Sequence, residues 1–483
     1  MTGNIFILTK MGENICRGYS TVKILGRGSF GEVSKVTNKK GDEFASKITT
    51  SVDTFPQVLR EIDILKRIDH PGLLSGRDFF FEGARSCVIL DLMEGDMVDM
   101  VNSGRLTIEQ SIVFVKQIAC GLNYLHINRI LHRDLKPDNV LFLDGQAKIA
   151  DFGLSVNISP VGVIYQDFIG TREYCPPELL SLKEKKTFDY YYGEEVDNYA
   201  FAWVCMIILS INGRVNDSPE TQLEYVLSIG CDPGPDFKIP RGDQEDQRRA
   251  YQRRIRWKEG VGMNIRKMIF NMIQQPPRQR PTAKDLFIIL GGNPRECEAP
   301  VEYPDFPKNI NYSKTFTKEH RQKDLVVMDE IMIWARKEFH LGNVAPSIEL
   351  EAIDLYDRIS MLFSVAEIET ISNKIGVEYE SGSPGSIIKI LAAVSIAIDL
   401  FSTSPLNPEI AIRKLNKTAV QKIWAYVFPK ATKFNKEEWY RFVIEVVIRL
   451  NFRLFRPTLE RLMPTKIALE IMKEVLSPRQ IVL

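Results

Sequence analysis

Three glycines stand at a spacing that could hold the oxygen atoms of a phosphate group. They are Gly26, Gly28 and Gly31, and strand-like sequence lies on both sides of them. The dinucleotide-binding version of this motif needs a helix directly after the glycines, so it is excluded. In a hairpin, glycines without a Cβ let backbone amides close over the oxygens of a triphosphate. Taken alone, the motif also fits a glycine-bearing turn without a ligand.

Charged residues farther along the chain could complete such a site. Lys47 ends a strand-like run and can hold phosphate oxygens, and Glu61 lies on an amphipathic helix in position to pair with it. The string HRDLKPDN follows at 132–139, DFG at 151–153 and PPE at 176–178. The chance that these strings occur in this order by accident is negligible.

In this order the motifs resemble those of the eukaryotic protein kinase family, over about residues 19–290. The resemblance implies transfer of the γ-phosphoryl group of ATP, which depends mostly on positioning and on neutralised charge. It implies that Lys47 anchors the α- and β-phosphates and that Glu61 fixes the Lys47 ammonium. It also implies that the oxygen atoms of Asn139 and Asp151 bind Mg²⁺, which bridges the phosphates.

The resemblance also assigns the acceptor side of the reaction. Asp134 would accept the proton of the substrate hydroxyl and orient it in line, and Lys136 would neutralise the γ-phosphate. Serine/threonine kinases carry a lysine at this place, and Thr171 matches the hydroxyl that bridges their catalytic aspartate and lysine. We therefore expect a serine or threonine acceptor in protein substrates. The alternative for this residue set is a pseudokinase, which keeps the fold and lacks turnover.

The same resemblance predicts the nucleotide pocket. Apolar side chains would enclose the adenine, Leu90 would be the gatekeeper, and the backbone from Asp91 to Met93 would bind the adenine edge. The full set of predicted nucleotide-binding residues is Leu25, Gly26, Arg27, Gly28, Ser29, Phe30, Gly31, Glu32, Val33, Ala45, Lys47, Leu90, Asp91, Met93 and Leu141. Two structural roles are also implied: Asp197 would cap the catalytic loop, and Arg280 would pair with Glu178.

Residues 55–66 resemble the PSTAIRE helix of cyclin-dependent kinases. The activating threonine of that subfamily aligns here with Gln166, which cannot be phosphorylated. Arg60 and Arg133 could supply two arms of the phosphate-binding cluster, but the third position is Val156. We therefore predict that phosphorylation of this loop is not required for activity.

Hydrophobic patterns predict the elements that would position these residues. Residues 19–90 are rich in strand-like runs, interrupted by one helix over 55–68 with an apolar face that begins at Val58. From 106 to 290 the pattern is mostly helical. With the resemblance, this predicts an α+β bilobal protein kinase fold, with a small antiparallel-sheet N-lobe and a helical C-lobe.

Residues 319–460 read as about five amphipathic helices, and the apolar run 387–401 would be the buried centre of a bundle. Their order resembles a cyclin box, with the pair 357–358 closing the second helix. The lysine by which cyclins hold their kinase aligns with Asp399, so the usual contact is not reproduced. An unrelated helical bundle is the alternative. A fused cyclin-like bundle would press on the helix that carries Glu61, and so activate the kinase in cis.

The predicted domain organisation has four parts. An N-terminal extension at 1–18 precedes the kinase domain at 19–295. A proline-bearing linker follows at 296–318, and an all-α cyclin-like helical domain occupies 319–483. A linker of this length would make the contact between the two domains intramolecular.

Composition excludes several functional classes. The chain has 483 residues and a net charge of +1, which argues against a global nucleic-acid binder or a polybasic membrane binder. The apolar run at 199–211 is too short to span a membrane and predicts a buried core helix. Seven cysteines without a CxxC pair suggest reduced thiols and an intracellular location, in the cytoplasm or nucleus.

Two other functions stay open at this point. The chain could be a non-catalytic pseudokinase whose cyclin-like bundle is a scaffold that recruits partner proteins. The bundle could also bind nucleic acid or transcription factors, although its nearly balanced charge gives that little support. A cluster of basic residues at 248–258 fits a solvated surface, or else a docking site for an acidic substrate or a phosphate.

Overall fold

The structure of the chain is a computed structural model, and it covers the sheet, the loops around the predicted site and most of the predicted helices. It describes residues 14–16, 18–28, 31–50, 54–82, 85–159, 163–164, 170–180, 190–211, 257–273, 277–293, 296, 318–338, 341, 345–375, 386–401 and 435–450.

Most strands lie in the first hundred residues. Strands β1 to β13 occupy Asn14–Cys16, Tyr19–Gly28, Gly31–Asn38, Glu43–Thr49, Gly76–Glu82, Arg85–Asp91, Gly95–Asp96, Ile130–Leu131, Val140–Leu143, Gln146–Ile149, Val156–Asn157, Val163–Ile164 and Tyr191–Tyr192. The first six form one sheet in the order β1-β2-β3-β4-β6-β5, with every neighbouring pair antiparallel. The short strands form the ladders β10-β9-β7, β11-β8 and β12-β13. The predicted antiparallel-sheet lobe is therefore confirmed.

Helices dominate the rest of the described chain. Helices α1 to α11 occupy Phe55–Arg67, Met97–Asn102, Ile108–Ile127, Glu195–Leu209, Met263–Ile273, Ala283–Ile289, Lys318–Glu338, Ala345–Leu362, Val365–Ile375, Ser386–Phe401 and Lys436–Arg449. Helix α1 matches the predicted helix 55–68 to within one residue. Its beginning is fixed by Pro56 in the first turn, where a missing backbone N–H costs nothing.

Helix α1 is buried between two apolar cores. The first core joins the sheet to α3, α4, α5 and α6, and it includes Val58 and Ile62 of α1. The second core is formed by α7 to α11, and it includes Phe55 and Leu59 of α1. Helix α1 is therefore buried almost all round, whereas the sequence pattern had predicted a single apolar face.

Aromatic side chains extend the contact between α1 and the C-terminal helices. The rings of Phe55 and Tyr440, which lies on α11, have their centroids 5.3 Å apart in an edge-to-face arrangement. Phe81 on β5 and Tyr191 on β13 pack against the same second core. Apolar burial of this kind is the main source of helix docking energy, so α1 is held from both sides.

The predicted end of the second C-terminal helix is wrong. Helix α8 continues through 357–358 to Leu362. The side chains of Asp357 and Arg358 are buried, yet each has an opposite charge beside it: Arg321 donates to Asp357 at 2.7 and 2.8 Å, and Arg358 donates to Asp354 at 2.9 Å. Charged residues can be buried within a helix when each has an oppositely charged partner. Asp357 and Arg358 therefore do not mark the end of the helix.

The apolar run 387–401 does form a buried helix, α10, as predicted. Helix α11 ends at Arg449. The side chain of Asp399 and the landmarks after residue 450 lie outside the described residues, as do the predicted linker from 297 to 317 and most of the basic cluster. Lys258, the last residue of that cluster, donates to the Leu106 carbonyl and the Ser111 hydroxyl at 3.0 and 2.7 Å.

The predicted reduced thiols are found at three positions. Cys120, Cys175 and Cys205 are free and buried. Cys87 is disulfide-bonded, so the expectation of reduced thiols throughout is wrong. Pairing depends on proximity in space, which cysteine spacing in the sequence does not show. The described helices include none that is both long and apolar enough to cross a bilayer. The predicted core helix at 199–211 corresponds to α4, which ends at Leu209 and is buried almost throughout.

A buried histidine links α3 to α4. The His126 imidazole lies 3.0 Å from a carboxylate oxygen of Asp197 and 3.4 Å from one of Glu194. Burial by itself would lower the pKa of His126, but hydrogen bonds and charge from these two carboxylates raise it to about 9. His126 is therefore charged in the folded protein at neutral pH.

We predict that this imidazolium makes stability depend on pH. The pKa of His126 is higher in the folded protein than its ordinary value of 6.5, so its stabilisation is complete below pH 6.5 and is lost as pH rises through about 9. The expected loss is on the order of 1–3 kcal/mol. Urea unfolding between pH 6 and 9.5 measures it, and His126→Gln should flatten that slope.

His70→Gln is the matched control for this prediction. Burial lowers the pKa of His70 to about 4, so its own contribution changes only below pH 6.5. The His70 variant should keep the slope between pH 6.5 and 9. Equal slopes in the wild-type protein and the His126 variant would contradict the assignment of that slope to His126.

Candidate active site

Lys47 lies at the centre of a buried charge cluster. It projects from β4, where its cross-strand neighbours are Val33 on β3 and Val88 on β6. Its Nζ lies 2.8 and 2.9 Å from the two carboxylate oxygens of Glu61 on α1, and 2.8 Å from Oδ1 of Asp151. The structure thus brings together three predicted site residues from three different elements.

Burial makes these charges depend on one another. The side chains of Lys47 and Glu61 are 12% and 6% exposed, so neither ion is well hydrated. Burial opposes the charged form of Lys47, but the charges of Glu61 and Asp151 raise its pKa above the ordinary value. Burial likewise opposes the charged form of Asp151, and the Lys47 ammonium holds the pKa of Asp151 below its ordinary value. Burial raises the pKa of Glu61 above its ordinary value, although the Lys47 ammonium opposes that rise. Lys47 and Asp151 are therefore charged at neutral pH.

The backbone at Asp151 adopts an uncommon conformation that aims its carboxylate at Lys47. Its φ is 63°, in the left-handed region that non-glycine residues rarely adopt. A 3₁₀ turn at Phe152–Leu154 follows at once. The Phe152 ring is buried and meets the His132 ring edge-on, with centroids 5.6 Å apart. Packing of this ring anchors the turn, so the strained conformation is retained.

Asp197 holds the loop that carries the HRDLKPDN string. Its carboxylate accepts the backbone N–H groups of His132 and Arg133, both at 2.8 Å. Arg133 also has a left-handed φ of 65°. These two bonds stabilise the strained backbone just before Asp134, so the capping role implied by the resemblance has the matching geometry.

Three predicted side chains meet at the Asp134 carboxylate. The Thr171 hydroxyl donates to Oδ1 at 2.6 Å, and the Lys136 ammonium lies 3.0 Å from Oδ2. Lys136 also donates to the Thr171 hydroxyl at 2.7 Å. The Asn139 amide donates to Oδ2 at 3.0 Å and to the Asp134 backbone carbonyl at 2.8 Å. Every rotamer in this group is thus fixed by a neighbour.

Gly170 allows Thr171 to reach this cluster. Its φ is +93°, and a Cβ at this position would lie 2.4 Å from the carbonyl oxygen of Arg133. Only glycine permits so close an approach between the two loops. Glu178, a few residues on, is paired with Arg280 as the resemblance implied, with Nη2 and Oε2 2.8 Å apart.

Three of the predicted adenine side chains, those of Val33, Ala45 and Leu90, share one face of the sheet. Ala45 lies opposite Leu90 across β4 and β6, and alternate residues of a strand point the same way, so Lys47 faces the same side. Val33 and Leu141 are partly buried against the first core, and Leu25 is 48% exposed. An apolar surface beside a lysine suits a base linked to phosphates.

The glycine-rich hairpin and the hinge also have the required form. Gly28 pairs with Gly31 across β2 and β3, and residues 29 and 30 between them lie outside the described residues. Arg27 and Glu32 pair across the hairpin, 2.8 Å apart. In the predicted hinge, the side chain of Asp91 accepts a hydrogen bond of 3.0 Å from Nη2 of Arg77.

The donor set around Asn139 and Asp151 fits a magnesium ion that accompanies a nucleotide. Carboxylate and amide oxygens are hard ligands, and Mg²⁺ is usually held by one or two of them together with phosphate oxygens. The Asn139 amide nitrogen is bonded to Asp134, which leaves its Oδ1 for a cation. Within the described ranges, no three His, Cys, Asp or Glu side chains gather into a metal site of their own.

The sequence did not predict the partners of Arg133. Its Nε donates to the Leu154 carbonyl at 2.7 Å, and its Nη1 donates to the Tyr192 hydroxyl at 3.2 Å. Val156, the third position of the presumed phosphate-binding cluster, is fully buried. Gln166 lies outside the described residues. Arg133 is thus tied to β13 through a tyrosine hydroxyl, a contact that no local sequence pattern marks.

Comparison with known proteins identifies the family. The model of the protein kinase domain matches residues 19–288. "Probable serine/threonine-protein kinase MARK-B" of Dictyostelium discoideum is 38% identical over 48% of the chain and 31% of its own length. "SNF1-like protein kinase ssp2" of Schizosaccharomyces pombe is 30% identical, over 56% and 43%. "Cyclin-dependent kinase F-3" of Oryza sativa subsp. japonica is 27% identical, over 54% and 55%.

These matches span about a third to a half of the length of the relatives. One of these three relatives is named as a cyclin-dependent kinase and two are not, so they do not single out the cyclin-dependent subfamily. The matched region contains strands β2 to β13, helices α1 to α5, all but the last residue of α6, the Lys47 cluster and the Asp134 cluster. The family model covers more than half of the chain, and its limits enclose every predicted site residue. The chain therefore belongs to the protein kinase family.

Proposed function

We propose that this protein is a serine/threonine kinase that transfers the γ-phosphoryl group of ATP to protein hydroxyls, with Mg²⁺. The observation that carries the proposal is the ion cluster in which Lys47 lies 2.8 Å from both Glu61 and Asp151. A site with this pairing has the charge that holds a triphosphate already in place.

In the proposed mechanism the chain positions both reactants. Lys47, fixed by Glu61, holds the α- and β-phosphates, and the glycine-rich hairpin closes over them. When bound through Asn139 and Asp151, Mg²⁺ neutralises charge on the phosphates. Asp134 accepts the proton of the acceptor hydroxyl at its carboxylate and orients that hydroxyl.

The acceptor preference rests on the Asp134 cluster. Lys136 lies between the Asp134 carboxylate and the Thr171 hydroxyl, where its charge meets an incoming γ-phosphate. Serine/threonine kinases carry a lysine at this place, so the resemblance favours a serine or threonine acceptor. Relatives named as serine/threonine kinases support the same preference.

We further propose that the C-terminal helices form a cyclin-like regulator that activates the kinase in cis. Phe55 and Leu59 place α1 in the second core, while Glu61 on the same helix reaches Lys47. A shift of α1 would separate that ion pair, so the docked helices favour the paired state. Because both parts belong to one chain, the effective concentration of the contact is on the order of millimolar.

A non-catalytic scaffold is the second candidate function. The docked C-terminal helices would suit a platform for partner proteins as well as a regulator. The complete set of charged groups around Lys47 and Asp134 favours the kinase.

A single substitution distinguishes the kinase from the non-catalytic scaffold. Asp134→Asn removes the proton acceptor and should lower phosphate transfer to a generic protein substrate by about 10²-fold or more. Transfer of radiolabelled phosphate from ATP measures it, with binding of a fluorescent nucleotide as evidence of folding. Asp138→Asn is the matched control, since this exposed neighbour undergoes the same chemical change and should keep its activity. If the wild-type protein transfers no phosphate, the kinase proposal fails and the scaffold function is favoured.

The second prediction concerns the contact between α1 and the C-terminal helices. Phe55→Ala and Tyr440→Ala each remove one ring of the interface, and each should lower kcat about tenfold while nucleotide binding persists. Ile333→Ala on α7 is the control, because that side chain is 61% exposed. Wild-type kcat in both ring variants would refute activation in cis.

The third prediction concerns the activation loop. Arg133 already has the Tyr192 hydroxyl as a partner, so treatment with a phosphatase should leave most of the kinase activity. Tyr192→Phe removes only the hydroxyl and should lower activity severalfold. Assays before and after the treatment, with mass spectrometry to verify dephosphorylation, test this. A large loss of activity on dephosphorylation would reject the idea.

A further inference from the structure

A single buried amide connects three parts of the molecule. Asn157 lies on β11, six residues after Asp151, and is 2% exposed. Its Oδ1 accepts a hydrogen bond of 2.7 Å from Nη2 of Arg67 on α1. Its Nδ2 donates to the backbone carbonyl of Leu400 on α10, at 3.2 Å. The two bonds of one side chain thus join the kinase domain to the C-terminal helices.

Both partners belong to the last turn of a helix. The last carbonyls of a helix have no acceptor role within it, so the Leu400 carbonyl is open to an outside donor. Arg67 ends α1 and is anchored by Asp63, one turn earlier, at 2.8 Å. Asn157 therefore lies where the C-terminal ends of α1 and α10 converge.

The chemistry of this position favours an asparagine. An aspartate would keep the acceptor for Arg67 but would place negative charge against the Leu400 carbonyl. A lysine or arginine would satisfy the carbonyl but would repel Arg67. A planar amide offers one donor group and one acceptor group and matches both neighbours at once.

Asn157 is also fixed to the catalytic machinery. It lies opposite Ile130 in the β11-β8 ladder, and β8 directly precedes the HRDLKPDN loop. The next residue, Ile158, donates its backbone N–H to the Arg129 carbonyl at 2.7 Å. A displacement of α10 is therefore transmitted to the strand beside the catalytic loop, by a route other than the apolar face of α1.

We propose that Asn157 is a positioning residue through which the docked C-terminal helices set the catalytic loop and the segment after Asp151, together with α1. This rests on the proposed function, in which those helices activate the kinase in cis. Asn157 touches neither nucleotide nor acceptor, and it acts through Arg67 and through its strand.

The test is Asn157→Asp in the full chain, a change of almost no volume. It retains the bond to Arg67 and replaces the bond to Leu400 with repulsion. We expect kcat for protein phosphorylation to fall about tenfold, since a buried unsatisfied carbonyl is costly. The KM for ATP should stay within about twofold, because the pocket itself is unchanged. Hydrogen exchange should quicken in the last turn of α10 and in β11.

Asn128→Asp is the matched control. Asn128 is also buried, and its Nδ2 likewise donates to a carbonyl in the last turn of a helix, that of Tyr124 at 2.8 Å. Its partner lies in α3, within the kinase domain. This variant should lose comparable stability and keep its kcat, which separates a fold defect from lost positioning.

Each result of these experiments either supports or overturns the role proposed for Asn157. A kcat for Asn157→Asp equal to that of Asn128→Asp overturns the proposal. If Asn157→Asp fails to fold, Asn157→Leu removes both polar contacts at similar volume, and the same comparison of kcat applies. If Phe55→Ala loses activity and the Asn157 variants do not, activation in cis stands and this inference fails. If the wild-type protein transfers no phosphate, the proposed function itself fails.

Discussion

The ion pair between Lys47 and Glu61 is the interaction on which the rest of the site depends. Two buried charges are stable together and costly apart, because neither can regain its full hydration. Lys47 is fixed by a strand in the middle of the sheet, so the variable partner is Glu61. Whatever fixes α1 therefore fixes the charge that meets the phosphates. The position of one helix thus controls the electrostatics of the whole site.

The position of helix α1 is set by the two apolar cores that it contacts. Its first core, through residues such as Ile62, is shared with the sheet, and its second core, through Leu59, is shared with helices more than 250 residues later in the chain. A helix buried on two sides has a position set by both neighbours. This is a physical basis for regulation, since removal of either core leaves apolar surface exposed and gives α1 freedom to move.

Much of the site could be predicted from the sequence, because its residues stand in short motifs that resemble those of the protein kinase family. The HRDLKPDN string puts Asp134, Lys136 and Asn139 on one loop, and the structure brings the side chains of Lys136 and Asn139 to the Asp134 carboxylate. Helix α1 was predictable too, from its apolar repeat and Pro56. The second core around Phe55, the pairing that buries Asp357, and the link from Arg133 to Tyr192 were not. Each depends on contacts between distant segments, which leave no spacing in the sequence.

Apolar and polar contacts make different contributions where the C-terminal helices meet the kinase domain. Apolar packing, as between Phe55 and Tyr440, favours close approach but tolerates a small rotation or slide. The bonds of Asn157 do not, because a planar amide between an arginine and a helix carbonyl satisfies both in one arrangement only. Packing thus supplies the affinity of docking, and the amide supplies its register. Asn157 also belongs to the strand beside the catalytic loop. If the C-terminal helices docked in a wrong register, this strand would therefore be displaced, and the catalytic loop would differ from the loop in the correctly docked protein.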